Sequence, residues 1–203
     1  MSAQAELDPL GTYGQGTVLI VVDVQNDFAD PEGSLYVPGG DAAIIQINAE
    51  ILAARQEGCP VVYTQDWHPE STPHFDKDGG IWPVHCVKET WGAELHPDLR
   101  VSGPIVRKGS EGGDGYSGFY VRDPESGDEE ETELEAILKD AGVERTVVIG
   151  LALDYCVKET VLDAARKGYD PTLLTAATAA VNLQEGDGDR ALKEMEEAGA
   201  TLR

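Results

Sequence analysis

Short apolar runs alternate with helical patterns along the chain. The apolar runs are rich in β-branched residues, which is typical of strands buried on both faces of a parallel sheet. They lie at residues 17–24, 60–64, 104–108, 146–149 and 172–176, and a shorter edge strand is predicted at 200–202. Helical spacing of apolar residues predicts helices near 41–57, 132–141, 157–167 and 189–198. The alternation predicts an α/β fold of right-handed βαβ units, with a parallel sheet and helices on both faces.

Length and composition are those of one ordinary globular domain. The chain has 203 residues, of which 41% are apolar, so we predict a single domain over residues 1–203. Acidic residues outnumber basic ones by 38 to 15, and the formal net charge of −23 argues against a nucleic-acid partner. No apolar run approaches the length of a membrane span, so no membrane partner is expected.

The N-terminus and the cysteines bear on the compartment. Residues 1–16 contain no basic region followed by an apolar one, so we interpret them as a flexible segment and not as a signal peptide. Three cysteines are too few, and odd in number, for a disulfide framework in a chain of this length. A cytoplasmic location is therefore expected, and the sequence leaves open whether the chain forms a homo-oligomer.

Four residues that can carry chemistry lie at or just past the ends of predicted strands. Asp23 interrupts the first strand, Asp66 follows the second, Lys108 ends the third, and Cys156 follows the fourth after a short turn. Ligands of open parallel sheets bind at the carboxyl ends of the strands, which meet at one edge. The four side chains, although distant in sequence, are therefore predicted to gather in one active site.

Cys156 lies where a strand gives way to a helix. Free N–H groups at a helix N-terminus favour a thiolate and can hold an oxyanion beside it. Next to this thiol, Asp23 could act as a general base, and the ammonium of Lys108 would lower the pKa of the thiol. Each residue also has a structural interpretation, as a buried cysteine, a hydrogen-bonded carboxylate and a solvated lysine.

A second candidate cluster lies in the long loop after the second strand. A carboxylate with several imidazoles suits one divalent transition metal ion, such as zinc, iron or manganese, and a metal would order so long a loop. The candidate ligands are Asp66, His68, His74 and His85. The alternative is that these histidines lie on the surface and bind nothing. His96 is expected on the surface, and Cys86 in the core or as a free thiol.

Three aromatic residues, Phe28, Trp82 and Tyr116, lie in the loops that carry these candidates. Packing is the usual role of such side chains. They could instead line a pocket for a flat ring.

Six short motifs follow one another along the chain. They are VDVQNDF at 22–28, DWH at 66–68, WPVHC at 82–86, KG at 108–109, YSGF at 116–119 and GLALDYCV at 150–157. In this order they resemble the nicotinamidase/pyrazinamidase branch of the isochorismatase-like cysteine hydrolases. The resemblance covers nearly the whole chain, and the shared order is stronger evidence than any single motif. The acidic segment 123–133 matches no motif of that family.

The resemblance implies a Rossmann-like fold with a six-stranded parallel sheet and a catalytic triad of Asp23, Lys108 and Cys156. It implies a non-proline cis peptide bond between Leu151 and Ala152, and an oxyanion hole made by the N–H groups of Ala152 and Cys156. The implied metal ligands are Asp66, His68, His74 and His85. The implied substrate-binding residues are Phe28, Trp82, Tyr116 and Leu151.

The implied reaction converts a small amide, nicotinamide, to nicotinate and ammonia through a thioester on Cys156, and pyrazinamide is a further expected substrate. A metal would bind the pyridine nitrogen and so position the ring. One alternative is a related amidase that acts on a ureido or carbamoyl substrate. Another is a thiol or metal sensor without turnover. Ammonia release from nicotinamide distinguishes the first hypothesis from both alternatives.

Overall fold

A parallel six-stranded sheet forms the centre of the protein. The computed structural model describes residues 9–124 and 126–203. The strands are β1 (Thr17–Val22), β2 (Val61–Asp66), β3 (Ile105–Lys108), β4 (Tyr120–Arg122), β5 (Glu129–Glu131), β6 (Arg145–Leu151), β7 (Asp170–Ala179) and β8 (Thr201–Leu202). The large sheet has the order β3-β2-β1-β6-β7-β8, and β4 pairs with β5 in a separate antiparallel hairpin. The predicted six-stranded parallel sheet is confirmed.

Helices connect the strands and cover the sheet. They are α1 (Asn26–Ala29), α2 (Gly40–Gln56), α3 (Leu134–Asp140), α4 (Lys158–Arg166) and α5 (Asp187–Glu197). A π-helical turn, Leu153–Val157, links β6 to α4, and two 3-10 turns occur at Asp76–Asp78 and Trp91–Ala93. Within the described part of the chain, none of the helices combines the length and the apolar character needed to cross a bilayer.

Two apolar cores, one on each face of the sheet, explain why β1 consists of consecutive apolar residues. Leu19 and Val21 belong to the core on the α2 side, together with Ile47. Their neighbour Ile20 belongs to the core on the opposite face, together with Val161 of α4. Successive side chains of a strand point to opposite faces, so a strand buried on both faces is apolar along most of its length, as residues 18–22 of β1 are.

Strand register brings the predicted active-site residues to one edge. Asp66 pairs with Lys108 between β2 and β3, and Val22 pairs with Gly150 between β1 and β6. Asp23 directly follows Val22, and the turn that carries Cys156 begins just beyond β6. The carboxyl ends of four strands thus supply the site.

Two surface segments differ from or extend what the sequence indicated. The acidic segment, for which no element was predicted, contains β5, whose three glutamates are exposed. Of the N-terminal segment, residues 1–8 lie outside the described residues. From Leu10 onward the chain is held to α2, since the N–H groups of Leu10 and Gly11 and the hydroxyl of Tyr13 donate to the Glu50 carboxylate at 2.7–3.1 Å.

Candidate active site

The three predicted triad residues meet at the carboxyl edge of the sheet. The Nζ of Lys108 lies 3.0 Å from Oδ2 of Asp23 and 3.7 Å from Sγ of Cys156. The same ammonium donates to Oδ1 of Asp66. All four side chains are buried. One lysine therefore contacts two carboxylates and the thiol.

Asp23 stands at the turn that ends β1. Its φ of 47° lies in the left-handed region, which aspartate tolerates better than most residues. The hydroxyl of Thr64 donates to Oδ1 of Asp23 at 2.6 Å. Within the described residues Oδ2 has no hydrogen-bond partner of good geometry, although Lys108 is its ion-pair neighbour. An oxygen of Asp23 and the Sγ of Cys156 lie within 4.8 Å of each other, so this carboxylate can take the thiol proton.

Burial is the largest influence on the pKa values of two triad residues, Cys156 and Asp23. Burial raises the pKa of the Cys156 thiol well above its usual value, and the Lys108 ammonium only partly offsets this rise. Burial also raises the pKa of Asp23 against the effect of Lys108, which makes Asp23 a stronger base than an ordinary carboxylate. The predicted effect of Lys108, which lowers the pKa of the thiol, has the expected direction, but burial outweighs it. A buried thiol with a raised pKa needs a base when it reacts, and Asp23 is the neighbouring carboxylate.

The turn that carries Cys156 has the backbone features implied by the resemblance. The peptide bond between Leu151 and Ala152 is cis. Ala152 precedes the π-helical turn, and its carbonyl accepts the N–H groups of Tyr155 and Val157, both at 3.1 Å. The assignment of the oxyanion hole to the N–H groups of Ala152 and Cys156 stays a prediction.

Asp154, which sequence reasoning did not single out, anchors this turn. Its carboxylate accepts the N–H groups of Val181 at 2.9 Å and Asn182 at 2.8 Å, just beyond β7. The nucleophile turn is thereby fastened to the next strand of the sheet. Charged acceptors of two backbone amides make strong hydrogen bonds.

Three of the predicted metal ligands form a compact buried cluster. The ring centroids of His68, His74 and His85 are 5.1–5.3 Å apart in every pairing. One nitrogen from each ring lies within 4.8 Å of one nitrogen from each of the others. Phe75 is fully buried and contacts all three rings at centroid distances of 5.4–6.2 Å.

Outer partners orient two of the rings. Nδ1 of His74 lies 2.7 Å from Asp114, and Nδ1 of His85 lies 2.7 Å from the carbonyl of Pro83. Each contact places a proton on Nδ1 of the ring, so that Nε2 is the nitrogen that faces a ligand. Burial lowers the pKa of His85 to about 4, so this ring is neutral near pH 7. The buried Nδ1 of His68 has no hydrogen-bond partner within the described residues.

Asp66 lies between the histidine cluster and the triad. Its Oδ2 is 3.7 Å from Nε2 of His68, while Oδ1 accepts the Lys108 ammonium. Although burial opposes the effect, Lys108 and His68 hold the pKa of Asp66 well below its usual value. The Gln25 side chain donates to the Asp66 carbonyl and accepts its N–H, both at 2.8 Å. A carboxylate beside three imidazoles fits a divalent transition metal, and the four residues stay predicted ligands.

A cavity opens directly onto the thiol. Phe28, Trp82 and Tyr116 line it as predicted, and Nε1 of Trp82 donates to the Tyr116 hydroxyl at 3.0 Å. The side chain of Leu151 lies in the core on the α2 side and is not part of this wall. Four other residues that sequence reasoning did not select also line the cavity. They are Leu35, Val37, Tyr155 and Val181.

The prediction for the fourth histidine, His96, is wrong. His96 was expected on the surface but is buried. Its Nδ1 accepts the N–H of Asp98 at 3.2 Å, and its Nε2 lies 3.8 Å from the carboxylate of Asp30. These partners come from a loop 66 positions earlier in the chain and from the turn that follows His96, so adjacency to Pro97 was a poor guide.

A buried thiol, carboxylate and lysine at the edge of a doubly covered parallel sheet fit a hydrolase with a cysteine nucleophile. A family model described as the isochorismatase domain matches residues 17–203. The chain belongs to the isochorismatase family, as the motifs predicted.

Relatives and solved structures agree with this membership. The nicotinamidase of Escherichia coli is 37% identical over 202 residues, which cover 91% of this chain and 92% of the relative. A Pyrococcus horikoshii pyrazinamidase in complex with zinc is 40% identical with a TM-score of 0.82, covering 93% of this chain and 98% of its own. An L. infantum protein in complex with nicotinate is 36% identical with a TM-score of 0.83, covering 96% of both chains.

Proposed function

We propose that this protein is a nicotinamidase that hydrolyses nicotinamide to nicotinate and ammonia, and that it also deamidates pyrazinamide. The observation that carries the proposal is the contact of one buried lysine with Asp23, Asp66 and Cys156 at the wall of an aromatic-lined cavity. The names of the similar proteins supply the substrate class. The triad supplies the chemistry of amide cleavage.

In the first half of the reaction, Asp23 takes the proton of Cys156 and the sulfur attacks the amide carbon. The resulting oxyanion is held by the backbone N–H groups of Ala152 and Cys156. Lys108 stabilises the anionic charge as it moves from carboxylate to sulfur, because it contacts both groups. Collapse of the intermediate breaks the carbon–nitrogen bond, and protonated Asp23 gives its proton to the departing ammonia.

In the second half, water replaces ammonia. Asp23, again ionised, takes a proton from water, and the hydroxide attacks the thioester carbon. Release of the sulfur forms the carboxylic acid, and protonated Asp23 returns its proton to the sulfur, which regenerates the Cys156 thiol and the Asp23 carboxylate. One amide and one water thus give one acid and one ammonia, and no oxidant or reductant is required.

Asp66, His68, His74 and His85 are the residues that would hold a divalent transition metal. When bound, this metal would supply an open coordination position to a ring nitrogen of the substrate. Phe28, His74, His85 and Cys156 line the same cavity, so a ring that fills the cavity lies beside both the cluster and the nucleophile.

Ammonia release from nicotinamide by the purified, metal-supplemented protein tests the proposal. We expect turnover with nicotinamide and with pyrazinamide. Ammonia from a ureido or carbamoyl substrate with none from nicotinamide would assign the protein to the related amidases. Absence of ammonia from all of these substrates, in a folded protein that binds metal, would favour a sensor.

A further inference from the structure

Thr64 contacts the general base at two points. It lies in β2 beside the end of β1, and its carbonyl accepts the N–H of Asp23 at 3.3 Å. Its hydroxyl donates to Oδ1 of Asp23 at 2.6 Å. Both residues are fully buried. The hydroxyl therefore donates to one carboxylate oxygen, while within the described residues the other, Oδ2, has no hydrogen bond of good geometry.

The position of the Thr64 side chain is fixed by a close backbone approach. A Cβ added to Gly118 would lie only 2.9 Å from Cγ2 of Thr64. The N–H of Gly118 donates to the hydroxyl of Thr160 at 2.9 Å, and that hydroxyl donates to the carbonyl of Cys156 at 2.7 Å. The glycine that packs against Thr64 thus also connects, through Thr160, to the backbone of the nucleophile.

We propose that Thr64 is a positioning residue for Asp23, holding one carboxylate oxygen so that the other stays available to the Cys156 thiol. The inference rests on the proposed function, in which Asp23 is the general base. Without the hydroxyl, both carboxylate oxygens are free to turn toward Lys108, which is already 3.0 Å from Oδ2. The carboxylate would then face the ammonium with both oxygens, and proton transfer from sulfur would slow.

Thr64→Val tests this role because valine has nearly the shape of threonine and no hydroxyl. Loss of a hydrogen bond to a charged group predicts a fall in kcat of about tenfold to a hundredfold with nicotinamide, and a KM that changes by less than about threefold. Thr64→Ser keeps the donor, so its kcat should stay within about threefold of wild type. Metal content and thermal unfolding are measured for each variant.

Thr146→Val is a matched control. Thr146 is also a fully buried threonine in the same sheet, on β6, but within the described residues its hydroxyl has no hydrogen-bond partner. The same chemical change at this position should leave kcat unaltered. A kcat loss in Thr146→Val equal to that of Thr64→Val would mean that general loosening of the sheet, and not positioning of Asp23, is responsible.

A second readout separates the inference from the proposed function. The alkylation rate of Cys156 at neutral pH is followed by mass spectrometry of tryptic peptide 146–158, which contains no other cysteine. We expect Thr64→Val to slow this reaction by about tenfold, while Thr64→Ser and Thr146→Val match wild type. If the wild type does not deaminate nicotinamide, the proposed function fails, and alkylation alone then decides the role of Thr64. Unchanged alkylation in Thr64→Val, or an equal loss in Thr64→Ser, would overturn the inference.

Discussion

The predicted catalytic triad and the histidine cluster are neighbours that the chain assembles in different ways. Asp23, Lys108 and Cys156 come from the ends of three strands far apart in sequence, and their distances follow from the sheet register. The histidines come from one loop within residues 68–85, where Phe75 and outer hydrogen bonds orient them. The triad geometry is therefore set by the sheet, whereas the three histidines depend on the order of a single loop.

Asp66 is the residue that joins the two assemblies. One carboxylate oxygen contacts the triad lysine and the other faces His68. Because the two halves share only this residue among the predicted site residues, most changes should affect one half and leave the other intact. The following predictions use that separation, in order of expected effect.

Cys156→Ala should abolish turnover without altering metal content. Loss of the nucleophile removes the thioester route, and we expect ammonia release from nicotinamide to fall by at least about a thousandfold. Because the cluster is built without this side chain, bound metal measured by elemental analysis should match wild type. Cys59→Ser is the control, since Cys59 is buried beside Gly14 at the N-terminal side of the sheet. Substantial residual activity in Cys156→Ala would remove Cys156 from the nucleophile role.

His74→Ala should lose metal affinity and keep the reactivity of Cys156. Loss of an outer partner typically weakens metal binding by about tenfold to a hundredfold, so loss of a direct ligand should cost at least about a hundredfold in metal affinity. Alkylation of Cys156 should stay near the wild-type rate, because the triad does not contain His74. His96→Ala is the matched control, since it removes a buried histidine outside the cluster. Equal metal loss in both variants would contradict the assignment of the ligands.

Benzamide probes the cluster from the side of the substrate. It has the amide and nearly the shape of nicotinamide but lacks the ring nitrogen. If a metal held by the four predicted ligands contacts that nitrogen, kcat/KM for benzamide should be lower by about a hundredfold, equivalent to about 2.7 kcal/mol. Pyrazinamide keeps a nitrogen at the corresponding place and should remain a substrate.

Chelation provides the control for the benzamide comparison. Removal of the metal should shrink the difference between nicotinamide and benzamide, because the discriminating contact is lost. Equal kcat/KM values for the two amides in the metal-loaded protein would mean that the metal orders the loop and does not contact the ring nitrogen of the substrate.

Lys108→Met should weaken the triad by a change in protonation. A cation beside a thiol lowers its pKa, so its removal raises the pKa of Cys156 further above the value that burial already imposes. Since only the thiolate is alkylated, the midpoint of the alkylation rate against pH should move upward by at least about one unit. Lys139→Met, at an exposed lysine, is the control. An unchanged midpoint would show that Lys108 does not act on the thiol.

The sheet could be predicted from the sequence because strands buried on both faces contain long apolar runs, such as residues 18–22 of β1. It missed the β4–β5 hairpin because those strands are three residues long and β5 is entirely acidic. The strand-end rule placed Asp23, Lys108 and Cys156 together without any contact information. The direction of a side chain was harder to predict. Leu151 also lies at the end of a strand, yet its side chain points into the core.

The electrostatics of the site were not predictable from sequence. The pKa of Cys156 depends on how completely the thiol is buried, and local residues do not encode that depth. The hydrogen-bond partners of buried groups could not be predicted from the sequence either. In the sequence Thr64 is an ordinary strand residue and Asp114 is one acid in a glycine-rich loop. Only the fold places Thr64 beside Asp23 and Asp114 beside His74.

Asp114→Ala is expected to have the smallest effect and to test how firmly the loop holds the cluster. Asp114 lies 2.7 Å from Nδ1 of His74, and this contact lowers the pKa of the Asp114 carboxyl. A carboxylate on the outer nitrogen of a ligating imidazole fixes the ring and strengthens it as a donor, so its loss should weaken metal binding by about tenfold. The lower end of the usual range is expected because Asp114 is partly exposed.

Two further variants show whether charge or geometry is responsible for the effect of Asp114. Asp114→Asn keeps an acceptor for the ring N–H and should fall between wild type and Asp114→Ala in metal affinity. Glu111→Gln removes one negative charge from the same exposed loop and should bind metal like wild type. Metal titration of the apo-proteins measures all three. If Glu111→Gln lost as much affinity as Asp114→Ala, the general negative charge of the loop would attract the metal, and the contact with His74 would have no special role.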